Sequence, residues 1–440
     1  MKRLPITALC LCAPLLGIAP YGAQAAVVGM SLPAQSITAG RIVALPAKQR
    51  VVWLDYLKRS EAQRAADKAA LAAERKPGMA IPPPPEENAR SRSMPLDRDA
   101  AWYGTPEARH VADVIVSFQT PTGGWGKNQD RSGPLRLPGQ AYVPNNISHY
   151  LAPGDFDAPK EPDWNYVGTL DNNATTTELH FLALVGRQTP GAAGDAYRDS
   201  FVRGIRYLLE AQFPNGGWPQ VWPLEGGYHD AITYNDDAVT LAAELLTDVA
   251  GNQNGDYNFV SQTMRHKAAA SARRALDCIL ATQVKVDGHL TIWGQQHDAL
   301  TLQPVAARNF EPAVLSSEES ADLLVYLMSL PHPSATLQAA IRAGVAFLRK
   351  AAITGSVYTG RDTPGGRNFV AQAGAGPLWA RFYAADPKRP VFGDRDKTIH
   401  DDVNELTLER RNGYSWYNDD PQKALAAYES WSKAHPPSAD

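Results

Sequence analysis

The sequence predicts an all-α fold: helical hairpins set in a ring, joined by long loops, with a few short strands. Three observations carry this. Apolar residues recur with helical period from residue 106 onward, strand signals are scarce, and one helix-ending motif is repeated along the chain.

In chain order, residues 49–76 read as a charged, Ala-rich helix, ended by Pro77-Gly78 and followed by a stiff proline run at residues 81–87. Helical patterns then fall at residues 106–118, 176–185, 196–212, 236–249, 261–281, 317–328, 334–351 and 421–433. Asp236 and Ser316 or Ser317 are expected N-caps, and Glu318 and Glu319 place acids where a helix dipole favours them. Residues 290–293 and 355–358 are the short strand candidates.

The repeated motif is helix, Gln, turn, Gly, Trp. It occurs at residues 118–127, again at 211–220, and more weakly at 287–295. Repeated helix-plus-loop units imply hairpins with like ends on one rim. The glycines permit a tight turn, and the tryptophan then lies flat against a neighbour. From sequence alone, a face that packs and a face that stacks on sugar look the same, so both readings stand for Trp125 and Trp218.

Residues 1–25 read as a secretory signal: Lys2 and Arg3, an apolar stretch broken by Pro5 and Pro14, and Ala23-Gln24-Ala25 as a cleavage site. Residues 26–98 read as a helical spacer with a Pro-rich linker, and 99–440 as the main domain. Nothing after the leader has an apolar run long enough for a membrane span. Cys10 and Cys12 fall in the leader, so only Cys278 would remain, with no internal disulfide and no cysteine metal site. A net charge of −3 without a basic run gives no footprint for nucleic acid. The expected setting is periplasmic or secreted, and the expected state a monomer.

Further along, the stretches GGWGKN (123–128), TLDNNATTTEL (169–179), GGWPQ (216–220), YHDAITYNDDAV (228–239), WGQQHD (293–298), ARNFEP (307–312) with SSEES (316–320), RFY (381–383), and RPVFGDRD (389–396) with RRNGYSWY (410–417) occur in order. Together they resemble the family 10 polysaccharide lyases, which are pectate lyases, over residues 102–416. The resemblance implies an (α/α)3 toroid with a long groove. It also implies polygalacturonate as substrate, β-elimination as the reaction and Ca2+ as cofactor. It implies Arg308 as Brønsted base, Asp171 and Asp236 as acidic active-centre residues, and Arg395 as the clamp on a substrate carboxylate. Asp237 departs from the family pattern; either it adds charge at the metal or it strengthens the start of the next helix. Lys127, Asn172, Trp218, Tyr234 and Trp293 are the further substrate-binding candidates.

The chemistry explains these residue types. Taking a proton from the carbon beside a uronate carboxylate leaves an enolate-like anion, and a cation on the carboxylate spreads that charge. Calcium takes several oxygen ligands, which aspartates and substrate carboxylates supply. Free arginine has a pKa near ~13. Crowding by other cations is therefore expected to lower that of Arg308, with an alkaline optimum as the result. Each residue also has a plainer role: Arg308 in an ion pair with Glu311 or Glu318, Asp171, Asn172 and Asp236 as helix caps, Arg395 paired with Asp394 or Asp396. Residues 252–256 lack the closing glutamate of a calcium loop. Two rival functions are an inverting glycoside hydrolase, with Asp171 and Asp236 as acid and base, and a non-catalytic carbohydrate-binding protein using the Trp loops.

Overall fold

The computed structural model describes residues 27–88 and 92–436, so the expected leader at 1–25 lies outside the described residues. Helices α1 (Ala39–Ile42) and α2 (Ala47–Glu74) precede α3 (Pro106–Ser117). Then come α4 (Thr176–Gln188), α5 (Asp195–Ala211), α6 (Ala238–Gly251), α7 (Gln262–Thr282), α8 (Ser317–Ser329), α9 (Ala335–Ala351), α10 (Leu408–Gly413) and α11 (Pro421–Ala434). The pairs α4/α5, α6/α7 and α8/α9 pack as hairpins. Helices α4, α6 and α8 follow one another on the inside, α3, α5 and α7 on the outside, and α11 lies against α8. This is the expected α/α toroid, with its strands confined to short pairs and one three-stranded sheet. Among the described residues no helix is long and apolar enough to cross a membrane.

Local chemistry sets the helix starts. Thr105, Ser261 and Ser334 accept from the backbone N–H three residues on, at 3.3, 3.3 and 3.2 Å. Asp236 does not cap: it and Asp237 stand at φ 49° and 58°, and α6 begins only at Ala238. Ser316 sits at the N-cap of α8, but its hydroxyl goes to the Glu319 carboxylate rather than to a backbone N–H. The strand expected at 290–293 is reduced to His289–Leu290, because Trp293 turns into the core.

The repeated motif is a stitch between outer helices. Gln119 Nε2 donates to Gly123 O in its own turn (2.7 Å) and to Ser200 O on α5 (2.9 Å). Gln212 repeats this with Gly216 O (2.8 Å) and Ser271 O on α7 (3.0 Å), and Gln283 with Thr291 O (2.8 Å) and Ala340 O on α9 (2.9 Å). Gly123 needs to be glycine twice over: its φ is 110°, and a Cβ would sit 2.7 Å from Arg203 O. Each indole N–H then caps a carbonyl in the last turns of the helix before it: Trp125 to Ile115 O (2.7 Å), Trp218 to Leu208 O (2.8 Å), Trp293 to Ile279 O (2.7 Å). Trp379 Nε1 does the same to Leu348 O on α9 at 2.7 Å, a fourth copy hidden in the sequence by the inserted hairpin of strands Ser356–Tyr358 and Phe369–Ala371.

The segment expected as a spacer is packed onto the toroid. Its helix α2 buries Trp53, Tyr56, Ser60, Asp67 and Leu71, spaced three, four, seven and four residues apart along one face. Ile37, Ile42, Trp53, Tyr56 and Met94 belong to the main hydrophobic core. Tyr56 donates to Ala211 O at 2.8 Å, beneath the loop that carries Trp218, and Ile37 N donates to the buried Asp230 carboxylate at 2.9 Å.

Candidate active site

The N-terminal ends of α4, α6 and α8 meet at one rim. Asp171 and Asn172 lie in the turn before α4, Asn235, Asp236 and Asp237 in the turn before α6, and Glu318 and Glu319 in the first turn of α8. Both turns hold non-glycine residues at positive φ: Asn172 at 52°, Asn173 at 63°, Thr175 at 65°, and Asp236 and Asp237 as above. Such geometry is costly, most of all for a β-branched threonine. The Thr175 hydroxyl holds it, donating to Thr169 O at 2.8 Å and accepting from Trp125 N at 3.1 Å. The repeat's tryptophan therefore reaches the site through its backbone, not its ring.

These ends floor a cleft of about 390 Å³ lined by Lys127, Tyr166, Asp171, Asn172, Gln220, Tyr228, Asn235, Asp236, Arg308, Glu311, Glu318, Arg381 and Tyr414, among others. One wall is acidic. Asp171 is 5% exposed. Its Oδ2 pairs with Lys127 Nζ, while Oδ1 accepts from Gln220 Nε2 (3.1 Å) and Asn235 Nδ2 (3.4 Å). Burial works against its charge, but Lys127 and the Asp236 side chain, within hydrogen-bonding reach, hold its carboxyl well below the usual range. Lys127 lies over the Tyr166 ring, 3.6 Å from its centroid, and Tyr166 shares a 3.2 Å hydroxyl contact with Tyr228. Burial and the neighbouring Glu319 and Asp236 push Glu318 up to about 7, against the pull of Arg381.

The other wall carries an ion pair. Glu311 accepts from Arg308 Nε at 2.8 Å and from Nη2 at 2.5 Å. The glutamate is 2% exposed, whereas 37% of the arginine side chain is open. Burial would lower the Arg308 pKa, but Glu311 outweighs it and holds the guanidinium well above its ordinary value. Its partner is correspondingly held down: burial raises the Glu311 pKa, but Arg308 draws it to about 2. Among the protein's own groups the nearest charge to Arg308 is therefore a carboxylate, and its lysines and arginines do not lower the Arg308 pKa as expected. Between the walls, Arg381 pairs with Glu319 and with Glu318 (3.2 Å), and lies 4.8 Å from the Tyr414 ring centroid.

Of the residues singled out from sequence, Arg308, Asp171, Asp236, Lys127 and Asn172 line this cleft. Four others do not. Trp218, Trp293 and Tyr234 are 0%, 0% and 1% exposed, so no ring face is open to a sugar. Their polar atoms are spent inside, Tyr234 on Thr282 Oγ1 at 2.6 Å. Arg395 is held by Glu409 through Nε (2.6 Å) and Nη2 (3.1 Å) and lies over Tyr150, outside the cleft lining. Asp237 also lies outside that lining; burial and then Asp322, Glu319 and Asp236 push its carboxyl up to about 8. The sequence reading gave no place in the active site to Gln220, Asn235, Glu318, Arg381 or Tyr414. All lie within the quoted motif stretches, and what marked them was position in a motif rather than residue chemistry.

A family model described as pectic acid lyase matches residues 119–425. Among solved structures, the chain is similar to the family 10 polysaccharide lyase from Cellvibrio cellulosa. Identity is 31%, with 77% of this chain and 97% of that chain covered, at a TM-score of 0.63. A point mutant of that lyase, in complex with trigalacturonic acid, is similar at 30% identity with the same coverage and TM-score. Among curated proteins, a terpene cyclase/mutase, ntnI, from Nectria sp is 24% identical over 153 residues; that match takes in 35% of this chain and only 18% of the other. With that family matched over most of its length, and its motif residues gathered in one cleft, the chain belongs to the pectic acid lyases and is a polysaccharide lyase.

Proposed function

We propose that this lyase cleaves α-1,4-linked polygalacturonate by β-elimination with calcium, leaving 4,5-unsaturated oligogalacturonides. The observation that carries the reading is one cleft with an open guanidinium on one wall and the Asp171–Asp236 carboxyl pair on the other. Trigalacturonic acid in the related lyase supports the substrate class.

The carboxyl pair fits a cation. Two carboxylates this close repel unless a proton or a metal lies between them. Among the described residues no group of three or more His, Cys, Asp or Glu forms a cage. Asp171 and Asp236 would therefore supply the protein's carboxylates, and substrate and water oxygens the remainder. Held there, a calcium ion would supply positive charge to the uronate carboxylate and so make the neighbouring C–H more acidic.

The chain's own residues do the rest. Lys127 and Arg381 offer fixed positive charge toward the uronate. Arg308, having released a proton to water, takes the proton from the carbon beside the carboxylate. The freed electron pair forms the ring double bond, the glycosidic C–O bond breaks, and water protonates the leaving oxygen. Arg308 then returns its proton to water. The leader-like start and the supply of calcium outside the cytoplasm support action as a periplasmic or secreted enzyme.

The glycoside hydrolase alternative is disfavoured by the same pair. Inverting hydrolases separate their carboxyls by roughly 6.5–9.5 Å to admit water, whereas Asp171 and Asp236 lie within hydrogen-bonding reach. The test is ultraviolet absorbance on polygalacturonate. The expected result is a rising double-bond signal with calcium that a chelator abolishes; saturated products would defeat the reading.

A further inference from the structure

We propose that Glu311 is a positioning residue that decides which nitrogen of Arg308 accepts the substrate proton. This rests on Arg308 being the base. A guanidinium has three nitrogens, and a neutral guanidine is basic only at the nitrogen that has lost its proton. The fork of Glu311 commits two of them, Nε at 2.8 Å and Nη2 at 2.5 Å. The third, Nη1, makes no hydrogen bond among the described residues, and the side chain it ends lines the cleft.

The carboxylate is itself locked. Its Oε2 also accepts from Arg308 N at 3.0 Å and its Oε1 from Tyr414 OH at 2.7 Å. A short turn, Glu311 N to Arg308 O at 2.9 Å and Ala307 N to Glu311 O at 3.1 Å, joins the two residues. Deprotonating Nε or Nη2 would point a lone pair at a buried carboxylate and break a charge-assisted bond. Deprotonating Nη1 breaks neither. The proton is thus lost from the nitrogen the fork leaves uncommitted, as a carboxylate fixes the tautomer of a catalytic histidine.

The same contact has a cost in pH. Glu311 raises the Arg308 pKa, so it makes the neutral base scarcer while aiming it. Other groups coupled to this pair are Tyr166, Tyr228, Tyr414, Asp157, Asp171, His229 and Arg410. Replacing Glu311 therefore has two separable effects of opposite sign. The base forms more readily, but at no particular nitrogen.

The experiment is the pH profile of kcat and KM for Glu311→Gln and Glu311→Asp on polygalacturonate with calcium. In Glu311→Gln the plateau kcat is expected to fall at least about tenfold with KM within about threefold. Its ascending limb should move to lower pH, and Glu311→Asp should move it back toward wild type. A plateau within about twofold of wild type overturns the proposal, as does a lower plateau with an unmoved limb, which marks a merely structural glutamate. If Glu311→Gln does not fold, Glu311→Asp, which shortens the carboxylate and spoils the fork, replaces it: its plateau kcat should fall with KM within about threefold, and a plateau within about twofold of wild type overturns the proposal. A wild-type enzyme that yields no unsaturated product would sink the lyase reading instead, and the two failures are distinguishable.

Discussion

The two walls of the cleft handle charge in opposite ways. On the acidic wall, carboxyls crowd: Asp171 and Asp236 are near neighbours in the cleft lining, and Glu318 is pushed up to about 7 by burial and by acidic neighbours. Lys127 and Arg381 only partly offset them. On the basic wall, Arg308 and Glu311 neutralise each other at short range. The difference teaches that carboxyl charge is only partly matched on one wall and fully matched on the other. The first wall is where the proposed calcium would be held, whereas the second holds one guanidinium still. Arg395 shows that pairing alone does not make a site: it too is forked by a glutamate and lies 5.4 Å from the Phe310 ring centroid, yet it stands outside the cleft lining.

The contrast can be broken at either wall. The largest effect is expected from Arg308→Lys, which keeps a charge for Glu311 but loses the fork: kcat should fall about 10²–10⁴-fold in steady-state assays, with the melting temperature nearly unchanged. On the acidic wall, Asp171→Asn should cost about 10²–10³ in kcat and raise the calcium concentration needed for half-maximal rate. If calcium dependence is unaltered, the cation sits elsewhere. Trp218→Phe sharpens the boundary between rim and core. Losing the indole bond to Leu208 O should cost about 1–3 kcal/mol in denaturant titrations, with KM unmoved; a raised KM would put Trp218 back at a subsite. The smallest effect is expected from Arg395→Ala, within about threefold in kcat/KM, since its partner is a part-exposed Glu409.

How far the sequence reached follows the same divide. The helices were legible because their apolar period is regular, and the Gln–Gly–Trp stitches because they recur. The fourth stitch at Trp379 was not, since an inserted hairpin separates it from α9. Around the cleft, Asp171, Asp236 and Arg308 were found through motif resemblance, and the structure gathers them. The tryptophans stayed open because a Gly-Gly-Trp turn looks alike whether its ring faces sugar or core. Only the depth of Trp218 and Trp293, both 0% exposed, decides between the two. The direction of the Arg308 shift was missed for a related reason. Glu311 was visible three residues away, but whether it or a cation lies nearest is a matter of side-chain geometry. Residues 26–98 read as a spacer because their helix is charged and Ala-rich; the stripe from Trp53 to Leu71 that joins them to the core is thin.

If both walls act on one uronate, their losses cannot be independent. The most direct measurement is the double-mutant cycle of Arg308→Lys and Asp171→Asn, read as kcat/KM for the unsaturated product. The account predicts a double mutant scarcely worse than the worse single mutant, because each change already spoils the same proton transfer. Fold-losses that simply multiply would show two walls serving separate steps, and would contradict it.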